Sequence, residues 1–169
     1  SVKYKSRFQK RFDVPRYGLN INLDSSLQNV EYYGLGDLEN LNDFKAQSTL
    51  GIYSGKVDEL NVDYIRPQEN GTHGETRWLR LTDDEGRGVM IFNRKNYFTF
   101  GVHNYSNETL RNAKHIEDIK NDDLVSLNID GFYRGTGTNS CGPNALPEYR
   151  VNFKDELKFG FYLVPVVTE

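Results

Sequence analysis

From Tyr17 to Asp24 the chain alternates without a break: Tyr17, Leu19, Ile21 and Leu23 are apolar, while Gly18, Asn20, Asn22 and Asp24 are small or polar. A period of two suits a β-strand with one buried face and does not suit a helix, whose apolar positions recur every three to four residues. The same texture returns along the chain. Strands are expected at Val30–Tyr33 (ended by Gly34 and Gly36), Leu50–Tyr53, Thr76–Thr82, Gly88–Phe92, Tyr97–Val102, Leu124–Ile129 and Tyr149–Phe153. A last strand carries Leu157, Phe159, Phe161 and Leu163, and Pro165 ends it or places it at a sheet edge. Asp83-Asp84-Glu85-Gly86 supplies a hairpin turn. Residues 37–47 and 67–74 read as loops.

The best helix signal is residues 106–115. Ser106 suits the N-cap, Glu108 the first turn, and Leu110 and Ala113 share a face. His115 is expected to close it, near the negative end of the helix dipole. About nine short strands with one or two short helices predict an all-β fold, an antiparallel β-sandwich in a single domain over residues 1–169. Eleven tyrosines and ten phenylalanines suit half-buried pleated surfaces.

Composition removes several functions. A net charge of −3 lacks the basic footprint of a nucleic-acid-binding protein. The single cysteine, Cys141, excludes an intrachain disulfide and a multi-cysteine zinc site. No apolar run reaches membrane-spanning length and no signal-type apolar region is present, so a cytoplasmic location without membrane partners is expected. The start at Ser1, followed almost at once by strand-like alternation, suggests a piece excised from a longer chain.

Candidate chemistry is sparse. His73, His103 and His115 form no HxH or HExxH pattern, which leaves a sequence-local metal site unsupported. His73, in a Gly-rich loop, looks the most exposed of them. The 24 acidic residues include enough carboxylates for a glycosidase pair, but sequence spacing cannot identify such a pair across strands. The segment GFYRGTGTNSCGPNALP, residues 131–147, is longer than an ordinary hairpin loop, and loops of this kind carry function. It lacks the pattern of a phosphate cradle. Cys141 at its centre reads as a small packing or ligand-contacting side chain, or as a thiol nucleophile that would need a histidine or helix N-terminus nearby.

Several segments together resemble the C-terminal region of glycoside hydrolase family 2 β-galactosidases, the part called domain 5 or the small chain. Val30–Asn40, VEYYGLGDLEN, is similar to WxGxGPxEN, although the usual Gly-Pro is missing at Asp37-Leu38. Tyr64–Gly71, YIRPQENG, is similar to YxxPQENG. Tyr105-Ser106 with Leu110 and His115 resembles YSxxxLxxxxH. LNIDG at 127–131, GTNSCGP at 137–143 and LPEYR at 146–150 resemble LNIDGxxxGxGxxSWGP and LPxYR. The matches run in order from about Pro15 to the end of the chain.

The resemblance implies the second half of a galactose-mutarotase-like supersandwich. It implies an enzyme that hydrolyses terminal β-D-galactosyl residues, as in lactose, with retention of configuration. The catalytic glutamates, magnesium and sodium would lie in other domains, leaving this chain without catalytic residues, metal or cofactor. Its expected work is to shape the active-site entrance and support assembly with the rest of the chain or a large subunit, in an oligomer. Substrate contact would come from Asn139, Ser140 and Cys141, with Cys141 where the family often carries a tryptophan. A thiol offers no aromatic face for sugar stacking. The rivals are a free-standing carbohydrate-binding β-sandwich, for which Trp78 is the natural probe, and a complete aldose mutarotase-like enzyme, which would need more strands.

Overall fold

The computed structural model describes residues 2–5, 12–93, 95–137, 142–150, 152–153 and 156–167. The strands are β1 (Val2–Lys5), β2 (Phe12–Asp13), β3 (Arg16–Leu23), β4 (Asn29–Gly36), β5 (Thr49–Lys56), β6 (His73–Thr76), β7 (Trp78–Thr82), β8 (Gly88–Phe92), β9 (Phe98–His103), β10 (Val125–Tyr133), β11 (Asn152–Phe153), β12 (Glu156–Phe159) and β13 (Tyr162–Val166). One α-helix, α1 (Asn107–Asn112), and 3-10 turns at Val57–Leu60, Ile116–Asp118 and Pro147–Tyr149 complete the elements. Among the described residues no helix is long and apolar enough to cross a membrane.

Two antiparallel sheets face each other, as the alternation predicts. One has the order β3-β10-β9-β6 and the other β13-β8-β7-β4-β5. Two short ribbons, β1 with β12 and β2 with β11, bring the two ends of the chain together. The registers set opposite partners on a shared face. Leu127 lies opposite Val102 and Ile129 opposite Phe100 in the first sheet; Tyr32 lies opposite Leu79, and Leu79 opposite Ile91, in the second. These side chains, with Val30, Val57, Leu81, Phe98 and Val125, form one continuous buried core. Each fully buried residue of this size stabilises the fold by about 1.5–3 kcal/mol relative to exposure.

Tertiary context alters several local expectations. The strand at Val30 runs on through Gly34 and Gly36. A Cβ on Gly34 would lie 2.7 Å from the Thr76 hydroxyl, so this glycine permits a close approach and does not end the strand. Leu19 is 39% exposed because β3 is the edge of its sheet. Thr76–Thr82 divides into β6 and β7, which belong to different sheets, and the last alternating run divides into β12 and β13 around Gly160-Phe161. Pro165 does lie in an edge strand, β13, where a missing N–H is tolerated. The helix starts where expected: Ser106 Oγ accepts from Thr109 N at 3.1 Å. It ends at Asn112, three residues short of His115, which instead precedes the 3-10 turn at Ile116.

Candidate functional site

The three segments Asp37–Asn40, Tyr64–Thr72 and Tyr133–Gly137, distant in sequence, converge on one side of the sandwich. They border an open cleft of about 470 Å³ whose walls include Glu39, Tyr64, Gln68, Glu69, Tyr133 and Thr136. Internal hydrogen bonds fix its shape. Glu39 accepts from the Tyr64 hydroxyl through one carboxylate oxygen and from Gly71 N, at 2.8 Å, through the other. Asn40, fully buried, donates to the carbonyls of Leu35 and Leu38 at 3.1 Å each and accepts from Gly74 N at 2.9 Å. Asn70 accepts from Val62 N and donates to the Gln68 carbonyl and the Tyr105 hydroxyl, each at 3.1 Å. Gly71 has φ +64, and a Cβ there would lie 2.7 Å from the Leu60 carbonyl, which explains the glycine after Glu-Asn.

Arg16 joins this loop to the first sheet. Its guanidinium donates to both carboxylate oxygens of Asp130, reaches Glu69, and lies 5.0 Å from the centre of the Tyr133 ring. Asp130 is 3% exposed, and burial raises its pKa while the hydrogen bond and charge of Arg16 oppose the rise. The neighbouring outer face of β10 is polar yet buried. Asn20 Nδ2 donates to Ser126 Oγ at 2.9 Å and to Asn128 Oδ1 at 3.0 Å. Asp130 and Asn128 thus hold strands and loops in register.

The loop after β10 is anchored on both flanks. Arg134 N donates to the Pro15 carbonyl at 3.0 Å and Gly135 N to that of Tyr149 at 2.8 Å. Gly137, with φ +75, donates to Asp43 Oδ2 at 2.6 Å. On the return leg Ala145 is buried and its carbonyl accepts from Arg150 Nε at 2.6 Å. The three expected sugar contacts, Asn139, Ser140 and Cys141, lie outside the described residues.

His73 is a correction. It is fully buried in the core, not exposed in a loop: Nδ1 lies 2.9 Å from the Tyr32 hydroxyl, and the ring stacks on Phe100 at 5.2 Å. Burial lowers its pKa to about 4, with smaller opposing contributions from the Leu60 and Leu35 backbone and from Asp37. His103, 2% exposed and stacked on Tyr105 at 4.8 Å, is lowered to about 4 by burial first and then by the charges of Arg16 and His73. Both rings are neutral packing groups near pH 7.

The chemistry open to the cleft follows from these bonds. Glycoside hydrolysis by a carboxylate pair needs one group carrying a proton for the leaving oxygen and another with a lone pair open to attack or to activate water. Both oxygens of Glu39 are held by protein donors, and Glu69 is paired with Arg16. Among the described residues no three of His, Cys, Asp and Glu converge as metal ligands. The arrangement makes a shaped wall with fixed loops.

Neither Arg16 nor Glu39 stands out in the sequence as an individual position. An arginine beginning a strand carries no local signal of a carboxylate that lies 114 residues away. Glu39 is marked only as part of the VEYYGLGDLEN segment.

Comparison with known proteins agrees with this arrangement. The model of the family described as "Beta galactosidase small chain" matches residues 1–163. A β-galactosidase of Actinobacillus pleuropneumoniae is 33% identical over 151 residues, which cover 89% of this chain and 14% of that protein. One of Staphylococcus xylosus is 33% identical over 150 residues, covering 89% and 15%. One of Kluyveromyces lactis is 32% identical over 157 residues, covering 92% and 15%. The chain therefore spans about a seventh of the length of these relatives. A family match across nearly the whole chain, on a sandwich whose motif segments meet at one cleft, identifies the chain as a member of the β-galactosidase small-chain family.

Proposed function

We propose that this chain is a non-catalytic wall of a retaining β-galactosidase acting on lactose-type substrates. It shapes the entrance to an active site whose reacting carboxylates come from another part of the polypeptide or from a large subunit. The observation that carries this reading is the cleft itself: family-like segments from three parts of the chain line it, and the carboxylates that reach it are committed to holding loops. The loop that follows β10 is tethered where it leaves the sheet, by Arg134 N to the Pro15 carbonyl and Gly135 N to that of Tyr149, and long loops on rigid sandwiches commonly carry binding roles. In this reading the magnesium and sodium belong to the other regions.

The test is kinetic and uses the intact enzyme containing this chain. Thr136, exposed on the cleft rim, is replaced by tryptophan. A narrowed entrance is expected to raise KM for lactose by roughly tenfold with little change in kcat, the pattern of lost uniform binding. Unchanged KM and kcat in a normally folded variant would remove the entrance role.

A further inference from the structure

The outer face of the five-stranded sheet carries an unbroken apolar row across every strand. Ile52 of β5 lies opposite Tyr33 of β4, Tyr33 opposite Trp78 of β7, Trp78 opposite Phe92 of β8, and Phe92 opposite Tyr162 of β13. Their sequence neighbours Tyr32, Leu79 and Ile91 point into the core, so this row points away from it. Ile52 is 66% exposed and Tyr162 52%. Met90 and Val164 add apolar surface in the next row, beside Glu31 and Arg80. An antiparallel sheet with one solvated face normally shows polar residues there. With adjacent strands about 4.8 Å apart, the row is roughly 19 Å long, a span typical of covered interaction surface and not of a scattered exposed residue.

We propose that this row is the seat for an apolar, uncharged segment of the β-galactosidase polypeptide outside this chain. Three observations select that occupant. The relatives contain about six times as much additional chain, so covering polypeptide exists in the same molecule. The charges beside the row are already paired: Arg80 with Glu31 at 2.7 Å, and Arg77 with Glu75 at 3.8 Å, which leaves little to attract a charged partner. Three of the four rings in the row have one face covered from within the chain. Phe92 and Tyr162 stack on each other at 5.1 Å, and the Arg77 guanidinium lies 5.6 Å from the centre of the Tyr33 ring. A saccharide needs a free ring face; packed aliphatic and aromatic side chains need only apolar surface. The inference rests on the reading of this chain as one region of a larger enzyme, and not on the entrance role of the cleft.

Hydroxyl-radical footprinting of the intact enzyme reads the face directly, because Trp78, Met90 and Tyr162 are all oxidisable. Tyr162 and Met90 are expected to react roughly tenfold more slowly in the intact enzyme than after unfolding, as in a buried interface. Ile52→Lys, read at Tyr162 and Met90, and Tyr162→Lys, read at Met90, both at positions exposed in this chain, are expected to raise that reactivity and weaken assembly. Oxidation of Tyr162 at a rate matching half exposure overturns the proposal. So does protection that disappears when an oligomer is diluted to single copies, which would make a second copy the occupant. Protection that appears only with added lactose overturns it in favour of a saccharide. A protected face with unaltered kinetics in Thr136→Trp would sink the entrance role alone, and an open face with altered kinetics would sink this proposal alone.

Discussion

Arg16 holds Asp130 from two sides: Nε donates to one carboxylate oxygen at 3.1 Å and Nη2 to the other. Asp130 is 3% exposed, so its charge depends on that fork. Replacement of Arg16 by methionine keeps much of the stem and leaves the carboxylate buried without its partner. The expected loss is about 3 kcal/mol, read as a lower urea midpoint at pH 7. Asp130→Asn in the Arg16→Met background is expected to recover part of it.

Core histidines make stability pH-dependent. His73 and His103 each have a folded pKa near 4, against an ordinary value of 6.5. The unfolded chain therefore binds more protons between those values. Stability is complete above pH 6.5 and falls as pH drops toward 4, by roughly 3 kcal/mol per histidine once both states are protonated. Urea midpoints from pH 7.5 to 4 should show the decline, and His103→Gln should reduce its slope.

Gly71 sits in the left-handed region with its missing Cβ facing the Leu60 carbonyl. Gly71→Ala is expected to cost about 2 kcal/mol, through the left-handed penalty and the crowding. In a domain of this size that lowers the thermal midpoint by roughly 4–8 °C. Differential scanning calorimetry checks it; an unchanged midpoint would mean that the loop relaxes freely.

Much of the sandwich is legible in the sequence. The alternation at Tyr17–Leu23, the Asp83–Gly86 turn and the Ser106 cap report local physics, and each appears where expected. Misreadings arise where distant chain decides the outcome. Gly34 looks like a strand end because composition cannot show that Thr76 will press against it. His73 looks exposed because nothing near it announces Tyr32 and Phe100. Leu19 follows the buried pattern, yet an edge position leaves it open. The cleft is legible only as motifs. The bonds that build it, from Glu39 to Gly71 and from Arg16 to Asp130, cross 32 and 114 residues.

Where the reacting carboxylates reside is read most directly from turnover of a chromogenic β-galactoside by the purified chain, with and without the remainder of the enzyme. No turnover above the uncatalysed rate is expected from the chain by itself, and activity is expected once the remainder is supplied. Turnover by the chain alone that disappears in Glu39→Gln or Glu69→Gln would contradict the claim, because it would place the acid chemistry in the cleft described above.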